Sequence, residues 1–127
     1  MKKVLIIEDE EILRDLVKKK LDRKGYEVEV AEDGEVGMKK MRKFEPNLIL
    51  LDIIMPNMGG FDVLKEMNKD DALSGIPVVI VSNSGQPVEI DKAKDMGVED
   101  WIVKTEFDPK EVLGKVVEQI GEPENKN

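Results

Sequence analysis

Short apolar runs recur along this chain, and a longer amphipathic stretch separates each run from the next. The run at residues 48–51 has the length and composition of a buried strand. The stretch at residues 10–24 instead shows helical spacing in its apolar side chains, which are Leu13, Leu16, Val17 and Leu21. Because this alternation is typical of repeated βα units, we predict an α/β fold with five parallel strands, each followed by a helix.

Capping and turn residues set the bounds of these elements. Asp33 and Asp108 are predicted N-caps, and Pro87 and Pro109 suit the first turn of a helix. We predict strands at residues 3–8, 26–31, 47–52, 77–82 and 100–104, and helices at residues 10–24, 33–44, 61–69, 87–97 and 109–120.

The polarity of the strands predicts their order in the sheet. The first, third and fourth strands are continuous apolar runs, which suits central strands covered on both faces. The second strand alternates apolar and charged residues, and the fifth is short with charged flanks, as expected of edges. With right-handed crossovers these assignments favour a doubly wound sheet of order 2-1-3-4-5.

Length and composition limit the classes of function. A chain of 127 residues suits one domain, which we place at residues 1–121, with residues 122–127 as a disordered C-terminal tail. The net charge of −8 opposes binding to nucleic acid or an anionic membrane and favours proteins or cations as partners. There is no Cys and no His, which excludes thiolate metal sites, cysteine nucleophiles and a phosphohistidine on this chain.

The N-terminal apolar run is too short for a signal peptide or a membrane span. We therefore expect a soluble cytoplasmic protein with no membrane association.

Polar side chains end four of the predicted strands: Glu8 and Asp9 follow the first, Asp52 the third, Ser82 the fourth and Lys104 the fifth. In the order 2-1-3-4-5 the chain reverses direction between the first and third strands, and ligands of such folds bind outside the strand ends there. Two carboxylates about 4 Å apart repel by on the order of 4 kcal/mol at an effective dielectric of about 20. Because the ligands are oxygens, a hard divalent cation such as Mg²⁺ is the natural counter-ion.

These residues together resemble a known family. Glu8-Asp9, Asp52 with the following Met55-Pro56 and Gly60, Ser82 and Lys104 stand in the order and at the separations of the receiver domain of two-component response regulators. The resemblance covers essentially the full chain and is closest to stand-alone, chemotaxis-regulator-like members. It implies a flavodoxin-like (βα)₅ fold and a Mg²⁺-dependent phosphoacceptor that takes its phosphoryl group from a phosphohistidine.

The resemblance also implies a role for each matched residue. Asp52 is the expected phosphoacceptor, while Asp9, Asp52 and the backbone carbonyl of Ile54 bind Mg²⁺ and Glu8 acts on the metal through water. Ser82 and Lys104 are expected to contact the phosphoryl group. Trp101 falls on an aromatic switch position, and the surface that changes would span residues 87–120, made of the fourth helix, fifth strand and fifth helix. The expected partners are a histidine kinase or phosphotransfer protein and an output protein; a phosphorylation-dependent dimer is left open.

Two positions depart from the usual receiver pattern, and two more lie where the family tunes the lifetime of the phosphoryl group. Asn83 replaces a smaller residue beside Ser82, and Thr105 replaces a proline that the family joins through a cis bond. A non-proline cis bond costs about 3 to 4 kcal/mol, so either that strain is kept or the loop is rebuilt. Ile54 and Ser84 occupy positions that the family uses to tune phosphoryl lifetime.

Other interpretations remain open on sequence alone. The acids that follow the first strand could simply stabilise a helix N-terminus, and Trp101 could simply pack an edge strand against a helix. A pseudo-receiver that signals without phosphorylation is one alternative function. A phosphatase of the haloacid dehalogenase kind is another, although it would need an acid where this chain has Ile54. We predict no enzyme turnover and, because only residues 121–127 follow the last helix, no DNA binding by this chain.

Overall fold

A computed structural model describes residues 2–83, 86–98, 100–104 and 108–123. The strands are β1 (Lys3–Ile7), β2 (Glu27–Ala31), β3 (Leu48–Leu51), β4 (Val78–Ser82) and β5 (Asp100–Val103). The helices are α1 (Glu11–Lys24), α2 (Gly34–Phe44), α3 (Gly60–Asn68), α4 (Pro87–Asp95) and α5 (Pro109–Ile120).

The five strands are parallel and lie in the order β2-β1-β3-β4-β5, which confirms the predicted fold and sheet order. The edge strand β2 buries Val28 and exposes Glu27 and Glu29, as its alternating sequence predicts. Ile7 of β1 pairs with Leu51 of β3. The residues that follow these two, Glu8 and Asp52, therefore leave the sheet at the same level.

Each face of the sheet is covered by a separate apolar cluster. One cluster joins Leu5, Ile7 and Ile49 of the sheet to buried residues of three helices, which are Met41 of α2, Val63, Leu64 and Met67 of α3, and Ala93 of α4. The other joins Val4, Ile6, Leu48 and Leu50 to Val17 and Leu21 of α1 and Val112 and Val116 of α5. Because successive strand residues point to opposite faces, β1 and β3 supply both clusters.

The elements begin and end close to their predicted bounds, with two corrections. Helix α4 ends at Asp95 and not at Gly97, because the amides of Met96 and Gly97 bond to the carbonyls of Ala93 and Lys94 in tight turns. Leu16 does not join the core stripe of α1 but remains 45% exposed beside Ile12. The buried row of α1 runs through Val17 and Leu21 instead.

The segment after α5 returns to the amino edge of the sheet. The hydroxyl of Tyr26 donates to the carbonyl of Gly121, and Lys2 Nζ donates to the carbonyl of Glu122 at 2.8 Å. The carboxylate of Glu122 pairs with Lys24 at 2.8 Å. The boundary predicted between residues 121 and 122 stays a prediction, and most of the predicted tail lies outside the described residues.

Within the described ranges, no helix is both long enough and apolar enough to cross a membrane.

Candidate functional site

The acids predicted from the strand ends converge at the carboxyl edge of the sheet. Glu8, Asp9 and Asp52 each offer a carboxylate oxygen, and these oxygens lie within 4.8 Å of one another. Glu8 and Asp52 are 3% and 4% exposed, whereas Asp9 faces solvent. Hydrogen bonds hold the two strand ends together there, since the amide of Asp52 donates to the carbonyl of Ile7 at 3.0 Å.

Lys104 reaches this edge from the end of β5. Its Nζ donates to Oε2 of Glu8 at 2.9 Å, to Oδ2 of Asp52 at 3.1 Å and to Oε2 of Glu10 at 2.9 Å. The side chain of Lys104 is only 6% exposed. We call the group of Glu8, Asp9, Asp52 and Lys104 the acidic crevice.

Burial dominates the protonation of the crevice acids. It raises the pKa of Glu8 to about 7, and the charge of Asp52 adds to this effect while the hydrogen bond from Lys104 opposes it. Burial also raises the pKa of Asp52 against the opposing charge of Lys104. Burial would lower the pKa of Lys104, but its hydrogen bonds to Glu8 and Glu10 raise the pKa overall, so the lysine carries its charge at neutral pH.

The loop between β3 and α3 fixes the other side of Asp52. The amide of Ile53 donates to Oδ1 of Asp52 at 2.8 Å, and the amide of Gly60 donates to the carbonyl of Ile53 at 2.8 Å. A Cβ at Gly60 would lie 2.4 Å from the carbonyl oxygen of Asp52, closer than any real contact. Position 60 therefore admits only glycine without a shift of the backbone at Asp52.

Asp33 holds the same loop from the β2–α2 connection. Its Oδ1 accepts from the amide of Val36 at 2.9 Å, which confirms the predicted N-cap, and its Oδ2 accepts from Asn57 Nδ2 at 2.7 Å. The φ angle of Asn57 is 66°, in the left-handed region that asparagine tolerates better than most residues. We call Asp33, Val36 and Asn57 the Asp33 corner.

The remaining predicted site residues lie nearby in different surroundings. Ser82 ends β4 and is 1% exposed. Ile54 directs its side chain to solvent and is 71% exposed. Trp101 lies on β5 opposite Ile80 of β4 and packs, half-buried, against the cluster that contains Ala93. Packing of Trp101 is thus observed, and its role as a switch stays a prediction.

Asn83 is exposed and lines an open groove beside the crevice, together with Lys104 and residues of the start of α1, namely Glu10, Glu11, Ile12, Leu13 and Leu16. The question of a cis bond before Thr105 and the tuning role of Ser84 both fall on residues outside the described ranges.

Two contacts at the crevice were not predicted from the sequence. Glu10 was expected only as an acid at a helix start, yet it is the third carboxylate on Lys104. Arg14 was not singled out, and its Nη1 donates to the backbone carbonyl of Glu8 at 3.0 Å. The run of four acids at residues 8–11 was the only signal for Glu10, and it does not say which acid turns inward.

Comparison with known proteins gives a consistent result. The profile of the family described as the response regulator receiver domain matches residues 4–117. A probable transcriptional regulator, ycf27, of Cyanophora paradoxa is 32% identical over 98% of this chain and 50% of its own length. The alkaline phosphatase synthesis transcriptional regulatory protein PhoP of Bacillus subtilis is 31% identical over 91% of this chain and 47% of its own length. The chain thus spans about half the length of these curated relatives.

Solved structures match over nearly their whole length. The chemotaxis protein CheY4 of Vibrio cholerae has a TM-score of 0.88 at 30% identity, covering 94% of this chain and 99% of that one. A CheY-like receiver domain protein of Methanospirillum hungatei has a TM-score of 0.85 at 29% identity, covering 93% and 92%.

Proposed function

The chain belongs to the receiver domain family of two-component response regulators, which are phosphoacceptor signalling modules, and from that premise we propose that Asp52 is its phosphoacceptor. The observation that carries the proposal is the acidic crevice. A nearly buried carboxylate lies against two further acids and within 3.1 Å of a buried ammonium. These residues suit phosphoryl transfer, since catalysis there rests on positioning and charge neutralisation, and the acids can hold a cation beside the lysine.

In the proposed reaction a carboxylate oxygen of Asp52 attacks the phosphorus of a phosphohistidine on a donor protein. An O–P bond forms and the N–P bond breaks. The electron pair of the N–P bond returns to the imidazole nitrogen, which takes up a proton from solvent. Because the chain contains no His, the phosphohistidine must come from a partner, for which we propose a histidine kinase or a phosphotransfer protein.

The residues of the crevice fit a Mg²⁺ site. The ligand atoms are oxygens. The single positive charge of Lys104 does not balance the negative charge of the three acids, so a cation is still favoured. We assign Asp9, Asp52 and the backbone carbonyl of Ile54 as the metal ligands, and Glu8 as a group that acts through bound water. Bound Mg²⁺ would neutralise these acids and orient the oxygens of the phosphoryl group.

Lys104 and Ser82 serve the same reaction in this proposal. The Lys104 ammonium already donates to Oδ2 of Asp52 and would donate to a phosphoryl oxygen once Asp52 is loaded. Ser82 ends the strand next to β3 and would offer its hydroxyl to another phosphoryl oxygen. Both residues act on the loaded aspartate and neither forms a covalent bond.

The output of this reaction is a change of surface and not a released product. We propose that Trp101 turns inward when Ser82 moves toward the phosphoryl group and that this alters the face formed by α4, β5 and α5. The chain would promote only its own loading and unloading, in the cytoplasm, and pass the signal to an output protein or a second copy of itself.

The direct test is loading of the purified chain by acetyl phosphate, read by intact mass. We expect the mass of one added phosphoryl group with Mg²⁺, and none with EDTA or in Asp52→Ala. Asp33→Ala is the matched control and should still load, because it removes another buried aspartate at the same edge of the sheet. Loading that persists in Asp52→Ala would reject the assignment.

Two further measurements separate the alternatives. A pseudo-receiver would show neither loading nor a response of Trp101 fluorescence to Mg²⁺. An aspartyl phosphatase would turn over an aryl phosphate ester. We place the phosphatase below the receiver because Ile54, at the position of its general acid, is apolar and exposed.

A further inference from the structure

Glu10 shares the ammonium of Lys104 with Glu8 and Asp52. An ammonium has three N–H donors and no acceptor. In the described chain these donors meet three carboxylate oxygens, one each from Glu8, Glu10 and Asp52, at 2.9, 2.9 and 3.1 Å. A phosphoryl oxygen on Asp52 can therefore gain a full hydrogen bond from Lys104 only when an existing contact is given up.

The three carboxylates differ in how easily they can be released. The contact with Asp52 can pass to the phosphoryl group, because the loaded aspartate no longer carries a carboxylate charge. The side chain of Glu8 is 4% exposed, and its buried charge would carry a large desolvation penalty if it lost its partner. The side chain of Glu10 is 54% exposed, so water can replace the lysine. Of the two glutamates, Glu10 is thus the one that Lys104 can leave more readily as it moves toward the phosphoryl group.

The backbone at Glu10 is held independently of this side chain. Glu10 is the N-cap residue of α1, but its side chain makes no capping hydrogen bond. Its amide instead donates to Oε2 of Glu8 at 3.1 Å, and its carbonyl accepts from the amide of Arg14 at 2.9 Å. The Glu10 carboxylate can therefore turn toward the open groove without moving the start of the helix.

We propose that Glu10 is a positioning residue that restrains Lys104 in the unphosphorylated chain and opposes the loading of Asp52. The inference rests on the proposed function, since it concerns the same lysine and the same phosphoryl group. Its carboxylate holds one donor of Lys104 and also places a negative charge beside the anion that must enter. Replacing that carboxylate by an uncharged amide weakens the hold on Lys104 and lowers the repulsion together.

The test compares Glu10→Gln with Glu11→Gln. The two variants change the net charge equally at adjacent positions, but Glu11 is exposed and forms no ion pair with Lys104. Saturating Mg²⁺ is needed because loss of a nearby acid also weakens cation binding. The measurements are the affinity for beryllofluoride, followed by Trp101 fluorescence or calorimetry, and the rate of loading by acetyl phosphate.

We expect Glu10→Gln to raise both quantities by about two- to fivefold, the range of one ion pair near solvent. Glu11→Gln should change them by less than half as much. Urea unfolding of both variants checks that the fold is kept. Equal effects in the two variants, or slower loading in Glu10→Gln, would overturn the inference while leaving Asp52 as the acceptor. Failure of the proposed function would look different, because the unaltered chain would then not load at all.

Discussion

Asp33 and Asp52 are both nearly buried at the carboxyl edge of the sheet, yet different kinds of partner hold their carboxylates. Asp33 accepts hydrogen bonds from the amide of Val36 and from Asn57, which lower its pKa. Asp52 accepts from its neighbouring amide and from Lys104, and burial raises its pKa. Neutral N–H donors stabilise the negative charge of Asp33, whereas the negative charge of Asp52 is stabilised mainly by one lysine that also pairs with other acids.

The difference separates a structural carboxylate from a reactive one. At the Asp33 corner every oxygen is engaged locally, so the charge stabilises the start of α2 and the loop after β3. In the acidic crevice the acids repel one another, and the crevice gains stability from any cation that enters. Burial alone would not have distinguished the two aspartates, since both are less than 10% exposed.

Removing Lys104 should lower the stability of the folded chain more than any other change proposed for the crevice. Lys104→Met leaves Glu8 and Asp52 buried beside each other without their cation, so we expect the free energy of unfolding to fall by about 3 to 5 kcal/mol at neutral pH in EDTA. Urea denaturation measures the loss. Lys115→Met is the matched control, because Lys115 pairs with Asp100 at a half-exposed site and should lose less than about 1 kcal/mol. Similar losses in both variants would mean that the buried charge of Lys104 contributes no more stability than the surface charge of Lys115.

Asp33→Ala should cost less stability and leave the chemistry intact. The variant loses an N-cap and the bond from Asn57, so we expect a loss of about 1 to 2 kcal/mol in the free energy of unfolding. Loading of Asp52 at saturating Mg²⁺ should persist. Asn57→Gly keeps the left-handed backbone open and removes only the amide bond, so its loss should be a fraction of that of Asp33→Ala. Loss of loading in Asp33→Ala would mean that the acidic crevice does not function independently of the Asp33 corner.

The metal-free chain should also show a pair of opposite pH dependences. Folding raises the pKa of Glu8 from 4.5 to about 7. Between these two pH values the folded chain binds more protons than the unfolded chain, so the contribution of Glu8 to stability falls as the pH rises from 4.5 to 7. Folding lowers the pKa of Asp33 below 3.8, so Asp33 adds stability above that pH and the contribution is lost as the pH falls.

Two amide variants test these signs separately. Glu8→Gln should flatten the fall in stability between pH 4.5 and 7, and Asp33→Asn should flatten the loss on the acid side. Urea unfolding in EDTA at several pH values gives both slopes. An unchanged slope in Glu8→Gln would place the titration on another group of the crevice, with Asp52 next in line because its pKa is raised in the same direction.

The sequence predicted those parts of the molecule that depend on local pattern and on sheet topology. Alternation in β2 marked it as an edge, and Asp33 before an amphipathic stretch marked an N-cap. The convergence of Glu8 with Asp52 followed from the chain reversal between β1 and β3. In each case the local sequence pattern or the order of the strands in the sheet determines where the residue lies.

The sequence did not predict the contacts that depend on how far a long side chain reaches. Glu10 and Lys104 are separated by 94 residues, and their contact depends on rotamers at the ends of α1 and β5. Leu16 shared the helical spacing of the core residues, but it lies along the open groove and remains 45% exposed. Helical period gives the direction of a side chain, while the neighbouring elements decide whether anything packs against it.

The return of Gly121 and Glu122 to the amino edge has a practical consequence for experiments. Contacts with Lys2, Lys24 and Tyr26 hold this segment at the end of the sheet opposite Asp52. The five residues of β1 span about 16 Å between the two edges, at roughly 3.3 Å per residue. A dye or immobilisation handle attached beyond α5 would therefore start from the far end of the molecule and leave the groove beside Lys104 open to a bulky donor protein.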